Sequence, residues 1–126
     1  MNKRVSLANP YATLEGWEAD MFCQLLATIG PRSARELVAC TGASNFTFDD
    51  EDERGAVAFD IPRGMCAVRG TKRIVIRNTW DDMIAVDFLN RAGKKIGNIT
   101  PRYAEDMIEA FRDKTAIQTF FPRMTW

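Results

Sequence analysis

The chain has 126 residues, enough to bury one hydrophobic core without disulfide staples. It contains no histidine, which removes Ser-His-Asp and Cys-His nucleophile activation and nearly every catalytic zinc set. Its 17 basic and 17 acidic residues cancel, no apolar run reaches the length of a membrane span, and MNKRVSLANPYA lacks a signal peptide's apolar core. The expectation is one domain over 1–126, cytoplasmic, with no membrane partner. Cys23, Cys40 and Cys66 are widely spaced and read as reduced, buried thiols.

Residues 1–8 read as an arm, frayed or docked on a sheet edge. Asn9-Pro10 starts a helix, with Asn as cap and Pro at the first helical position, and Thr13 offers a second start. Trp17, Met21, Leu25 and Ile29 recur at i, i+4 with Phe22 and Leu26 beside them, while Glu15, Glu18, Asp20 and Gln24 fall on the other side. This spacing predicts a helix over 10–29, ended by Gly30-Pro31. Ser33 and Glu36 have the S-x-x-E spacing of a capping box, and Gly42 closes the short helix that follows. Phe46 and Phe48 alternate around Thr47 as a brief strand. Asp49, Asp50, Glu51, Asp52 and Glu53 open a solvated acidic loop over 49–55. Val57, Phe59 and Ile61 form a strand stopped by Pro62, and 63–71 is a glycine-flanked connector.

From Lys72 to Ile99 the pattern is strongest. Ile74 and Ile76 alternate with Arg73, Val75 and Arg77, and Ile84, Val86 and Phe88 alternate with Ala85, Asp87 and Leu89. Polar breaks at 78–82 and 90–93 carry turn chemistry, so the segment reads as a three-strand antiparallel meander. Thr100-Pro101 repeats the cap-plus-Pro start, Tyr103, Met107 and Phe111 recur at i, i+4, and Arg102 can pair with Asp106. The predicted fold is α+β: an antiparallel sheet of four or five strands, with helices at 10–29 and 101–114 packed on one face. Trp17, Leu25, Ile76, Val86, Phe88, Met107 and Phe111 are expected to share the core. The tail 116–126 is apolar through Phe120, Phe121, Met124 and Trp126. It either folds back on its own chain or docks on a second copy as a homodimer contact.

Leu37 to Phe46, LVACTGASNF, resembles a hydrophobic-x-A-M-T-G-A-x-N-F motif, with Cys40 where Met is usual. Tyr103-Ala104-Glu105-Asp106-Met107 with Phe111 and Thr115 resembles a closing Y-A-x-x-L-x-x-x-F-x-x-x-T-G-L motif, with Ala116 where Gly is usual. Together they resemble a family of small, mostly uncharacterised proteins of bacteriophages and mobile elements, over residues 24–117. The resemblance implies origin and a fold with alternating strands between the motifs; it carries over no activity. The motif residues also read as turn chemistry: Gly42 as a left-handed cap, Thr41 and Asn45 bonding local backbone.

No arrangement expected of an enzyme emerges, and no cofactor or metal is expected. Gly64 to Lys72 departs from a phosphate loop in both glycine spacing and residue order. The segment from Asp50 departs from a calcium loop, with Arg54 at the fifth position and Ile61 at the twelfth. Asp60, Asp81 and Asp82 leave carboxylate hydrolysis conceivable, although adjacent acids in a turn are usually solvated. Charge is uneven: Pro62 to Arg102 holds nine Lys or Arg against three acids. That marks either a polyanion-binding face or strand residues that discourage edge pairing. The first functional expectation is a phage or mobile-element accessory protein that docks stoichiometrically on a host protein, as inhibitors of host defence do, through the acidic loop or the tail. The alternative is nucleic-acid binding on the outer sheet face through Arg73, Arg77, Lys94 and Lys95, with Trp80 as a stacking surface.

Overall fold

The computed structural model of the chain describes residues 2–6, 9–49, 54–79 and 81–121. Each alternating segment forms a strand: after β1 (Asn2–Arg4) come β2 (Ser44–Asp49), β3 (Ala56–Asp60), β4 (Arg73–Asn78), β5 (Ile84–Leu89) and β6 (Lys95–Arg102). They make one antiparallel sheet in sequence order. The class is α+β, but with six strands rather than four or five. The extra strand comes from the N-terminal arm, which docks on β2 through Asn2↔Asp49 and Arg4↔Thr47.

Register carries one apolar row across the sheet. Phe48, Val57, Ile76, Val86 and Ile99 lie opposite one another on successive strands, each at most 5% exposed. Helices α1 (Gly16–Ala27), α2 (Ala34–Thr41) and α3 (Ala104–Thr115) bring Phe22, Leu25, Leu26, Leu37, Met107 and Phe111 into the same buried cluster.

Three readings of α1 need correction. Pro10 starts a 3-10 turn (Pro10–Ala12), and the α-helix begins only after Glu15, whose N–H donates to Glu18 Oε1 at 3.0 Å. From that start the buried stripe runs through Glu18, Ala19, Phe22, Leu25 and Leu26, so Trp17 sits on its flank and is 45% exposed. Its ring meets Phe48 edge-on at 6.2 Å, and its indole N–H donates to Glu15. Glu18, expected on the polar side, is fully buried. Lys3 lies on the apolar row opposite Phe48 and places its Nζ 2.8 Å from both Glu18 carboxylate oxygens. The burial expected of the thiols holds for Cys66; Cys23 is exposed and Cys40 half-buried.

At the other end, Thr100-Pro101 does not start a helix. Ile84 pairs with Arg102, so β6 runs through both residues, and Pro101 is tolerated because β6 is an edge strand. Arg102 is therefore outside the helix and has no i, i+4 relation to Asp106. Tyr103 caps α3 and is 53% exposed.

After α3 the chain folds back on itself. Ile117 and Thr119 are buried, and the Thr119 hydroxyl donates to the Ile29 carbonyl. The Phe120 ring lies where a Cβ on Gly30 would stand, 2.5 Å from that position, and Arg112 covers it at 5.6 Å. So Phe120 is an internal contact, while Phe121 is 50% exposed and Met124 and Trp126 lie outside the described residues. The Ser33 hydroxyl accepts from Glu36 N–H as the capping box requires. Glu36 itself is buried and accepts from the Arg32 side chain (2.6 Å), the Arg32 N–H (2.7 Å) and the Phe121 N–H (3.3 Å).

Removing the ammonium should strand the buried carboxylate. Lys3→Met is expected to lower unfolding free energy by about 3 kcal/mol, the low end for breaking a buried pair because Lys3 is partly exposed. Adding Glu18→Gln should restore part of it in denaturant titrations.

Hydrogen bonds from Arg32 hold the Glu36 carboxyl at about 2, against an ordinary 4.5. A carboxyl lowered on folding stabilises the fold fully above its unfolded value and loses that contribution as pH falls toward the folded one. Between about pH 5 and pH 2, wild type should therefore lose more stability than Glu36→Gln, read from denaturation midpoints.

Candidate anion-binding cleft

Between β3 and β4 the chain makes a loop over 61–72 whose ends are clasped in the sheet. Ile61 N–H donates to Lys72 O (3.0 Å), and Lys72 N–H donates to Leu89 O (2.8 Å). Its middle is pinned to the end of α3, where Ala67 N–H donates to Thr115 O at 2.9 Å. Two tight turns shape the rest. Met65 N–H returns to Pro62 O, and Thr71 returns to Val68 O through both its N–H (3.3 Å) and its hydroxyl (2.7 Å).

Both turns have the same chemistry: arginine second and glycine third. Gly64 and Gly70 have φ of 82° and 85°, the left-handed conformation a type II turn needs at its third position. Arg63 and Arg69 thus stand at the turn tips. A third turn joins β5 to β6. Gly93 N–H returns to Asn90 O, and the Asn90 side-chain oxygen accepts from Lys94 N–H, both at 2.9 Å. Arg91 occupies its second position.

The three turns enclose a cleft of about 780 Å³. Arg63, Arg69, Lys72 and Arg91 line it, and all four are exposed. Ile61, Cys66 and Ala67 give it an apolar wall. Among the described residues no carboxylate lines it, and none forms an ion pair with Arg63, Arg69 or Arg91. Lys72 is also close enough to Asp60 to act on its charge, so the three guanidinium groups are the cations without a carboxylate partner among the described residues. A partly open cleft lined by such groups is suited to an anion, and guanidinium forks match phosphate or carboxylate oxygens in pairs.

The outer sheet face behaves differently. Arg73 and Arg77 do share it, one at each end of β4, but both are committed. Arg73 reaches Asp60 (2.8 Å), the Asn45 carbonyl (3.0 Å) and the Thr47 hydroxyl (2.6 Å). Arg77 and Lys95 converge on Asp87 at 3.0 and 3.4 Å. Partial burial opposes ionisation of Asp60, yet hydrogen bonds from Asn45 and Arg73 and the charges of Arg73 and Lys72 hold its carboxyl below the ordinary range. Arg73 is thus paired with one carboxylate, while Arg77 and Lys95 share another and keep one positive charge between them. Lys94 is exposed on the β5–β6 turn, next to the cleft rather than on the face. Trp80 and residues 50–53 lie outside the described residues; Asp49 is half-buried at the end of β2. Asp60 sits beside the start of β4 and Asp81-Asp82 follow its end, roughly 15–20 Å away by strand rise, so they form no carboxylate pair. Among the described residues no cluster of three or more Cys, Asp or Glu could hold a metal ion. No helix among them is long and apolar enough to cross a membrane.

Gly64 to Lys72 fails as a phosphate-loop motif, and the signal the sequence carries here is Arg-Gly repeated six residues apart, Arg63-Gly64 and Arg69-Gly70, within the basic stretch. Arg91 could not have been added without the fold. Comparison of the chain with protein-family models, with curated proteins and with solved structures finds no match.

Structural and free cations should separate by stability. Arg73→Met leaves half-buried Asp60 short of donors and is expected to cost about 1–3 kcal/mol. Arg69→Ala and Arg91→Ala should each stay within about 0.5 kcal/mol of wild type in the same denaturation assay.

Proposed function

We propose that the protein acts by stoichiometric binding and that its ligand is a nucleic-acid strand, held by its phosphates at the 61–72 cleft. The observation that supports this is four exposed cations lining one concavity without a carboxylate among the described residues. Phosphates entering such a site displace condensed counterions, and that release drives binding. The clasped ends and the pinned middle of the loop keep the cations in place before the ligand arrives, which lowers the ordering cost of association. The sequence resemblance suggests a phage or mobile-element accessory protein in a host bacterial cytoplasm as the setting.

A second reading is docking on a host protein, as an inhibitor of host defence. Exposed Trp17, Tyr103, Ile108 and Phe121 favour it. Capture of a host protein that survives both nuclease treatment and charge reversal in the cleft would support this reading over the first. A homodimer built on the tail belongs with it, now resting on Phe121 and the residues beyond it.

Fluorescence polarisation with labelled single- and double-stranded oligonucleotides tests the first reading. Affinity should fall linearly with salt on a log–log plot, and removing a cation that neutralises one phosphate should flatten the single-strand slope by about 0.7. Arg69→Glu with Arg91→Glu is expected to weaken binding about tenfold or more at low salt, whereas Arg35→Glu on α2 should have a small effect. Equal losses from the cleft pair and from Arg35→Glu would sink the assignment of the cleft.

A further inference from the structure

Resting on the nucleic-acid reading, we infer that the cleft is a pocket for the terminal phosphate of a strand, not a track along which an internal backbone runs. Arg63, Arg69 and Arg91 stand on three separate turns and Lys72 at the foot of the loop, and all four line the same cleft rather than following one strand or helix. That volume, about 780 Å³, falls in the range of pockets that enclose a small ligand. The long outer sheet face, which could have held an extended backbone, spends its cations on Asp60 and Asp87.

Charge separates the two kinds of phosphate. An internal phosphodiester carries a single negative charge and two free oxygens. A terminal monoester carries about −1.5 to −2 at neutral pH and three strong acceptor oxygens. Three guanidinium forks and an ammonium offer far more donors than a diester can use, and a monoester uses more of them. The remaining wall fits the rest of an end nucleotide. Ala67 is exposed on the cleft lining, with the buried Ile61 and Cys66 behind it, an apolar side against which a sugar or base can lie. Gly64 leaves open space beside the Arg63 turn, with no atom within 4 Å of where its Cβ would stand. Lys94 is exposed on the same turn as Arg91 and adds a further positive charge beside the cleft.

The experiment compares four otherwise identical single-stranded oligonucleotides carrying a 5′-phosphate, a 3′-phosphate, both or neither, bound to the full-length chain near physiological salt. A phosphorylated end should bind about tenfold more tightly than a hydroxyl end, because it adds charge and donors at the same site. That advantage should vanish in Arg63→Ala and in Arg91→Ala, with circular dichroism confirming that both variants fold. Inorganic pyrophosphate should compete for the phosphorylated strand and leave the residual binding of the hydroxyl strand nearly unchanged. If all four strands bind equally, the terminal-phosphate inference is wrong and the nucleic-acid reading stands. If none binds, both fail together. An end preference that persists in both arginine variants would place the end site elsewhere and overturn the assignment to this cleft.

Discussion

Glu18 is a carboxylate with no solvent exposure, and the fold is organised so that a positive charge reaches it. An isolated buried carboxylate costs several kcal/mol after relaxation, so the helix that carries it is stable in place only with a partner. The partner is Lys3, and Lys3 is in position only because the N-terminal arm has become β1 and paired with β2. The same carboxylate accepts the Glu15 N–H and thereby sets where α1 begins. That phase decides which side chains face the sheet: Phe22, Leu25 and Leu26 go in, and Trp17 stays at the margin. One ion pair therefore couples the first strand, the first helix and the packing between them.

The two sets of basic residues differ for a geometric reason. On a ladder every side chain has a cross-strand neighbour about 5 Å away, and register makes that neighbour specific. Arg73 stands directly opposite Asp60, while Arg77 reaches Asp87 on the adjoining strand, so ladder cations are paired by the fold itself. At a turn tip the side chain leaves the ladder and has no assigned neighbour. Arg63, Arg69 and Arg91 are all second residues of tight turns, and their charge remains available to a ligand. Some cations therefore hold the scaffold, and others carry charge that no described residue compensates.

The loop that carries two of these arginines is restrained more than its length suggests. Its ends continue the ladders on either side, its centre is tied to the last turn of α3, and Val68 packs against β6 at Gly97 and faces Phe88. The end of α3 is in turn held by the chain that follows it, where Thr119 bonds back to Ile29 and Phe120 fills the space at Gly30. The apolar C-terminal stretch thus first serves the interior. Among its described large apolar residues, Ile117 is buried, Phe120 is half-buried and Phe121 is left to solvent.

Local physics was legible in the sequence by itself. Period-two alternation located the strands around Val57, Ile76 and Val86, and the short connection between the last two required them to pair antiparallel. Capping chemistry placed α2, and the basic bias of 62–102 marked the part of the chain that builds the cleft. What tertiary structure decided was every outcome that depends on a distant neighbour. Thr100-Pro101 reads as a helix start until Ile84 pairs with Arg102 and draws it into the sheet edge. Glu18 reads as a solvent residue until Lys3 arrives from 15 positions away. Arg73 and Arg63 look alike in the sequence. Only register shows that one is paired while the other has no carboxylate partner among the described residues, because pairing is a property of which segments lie side by side, and no local spacing encodes it.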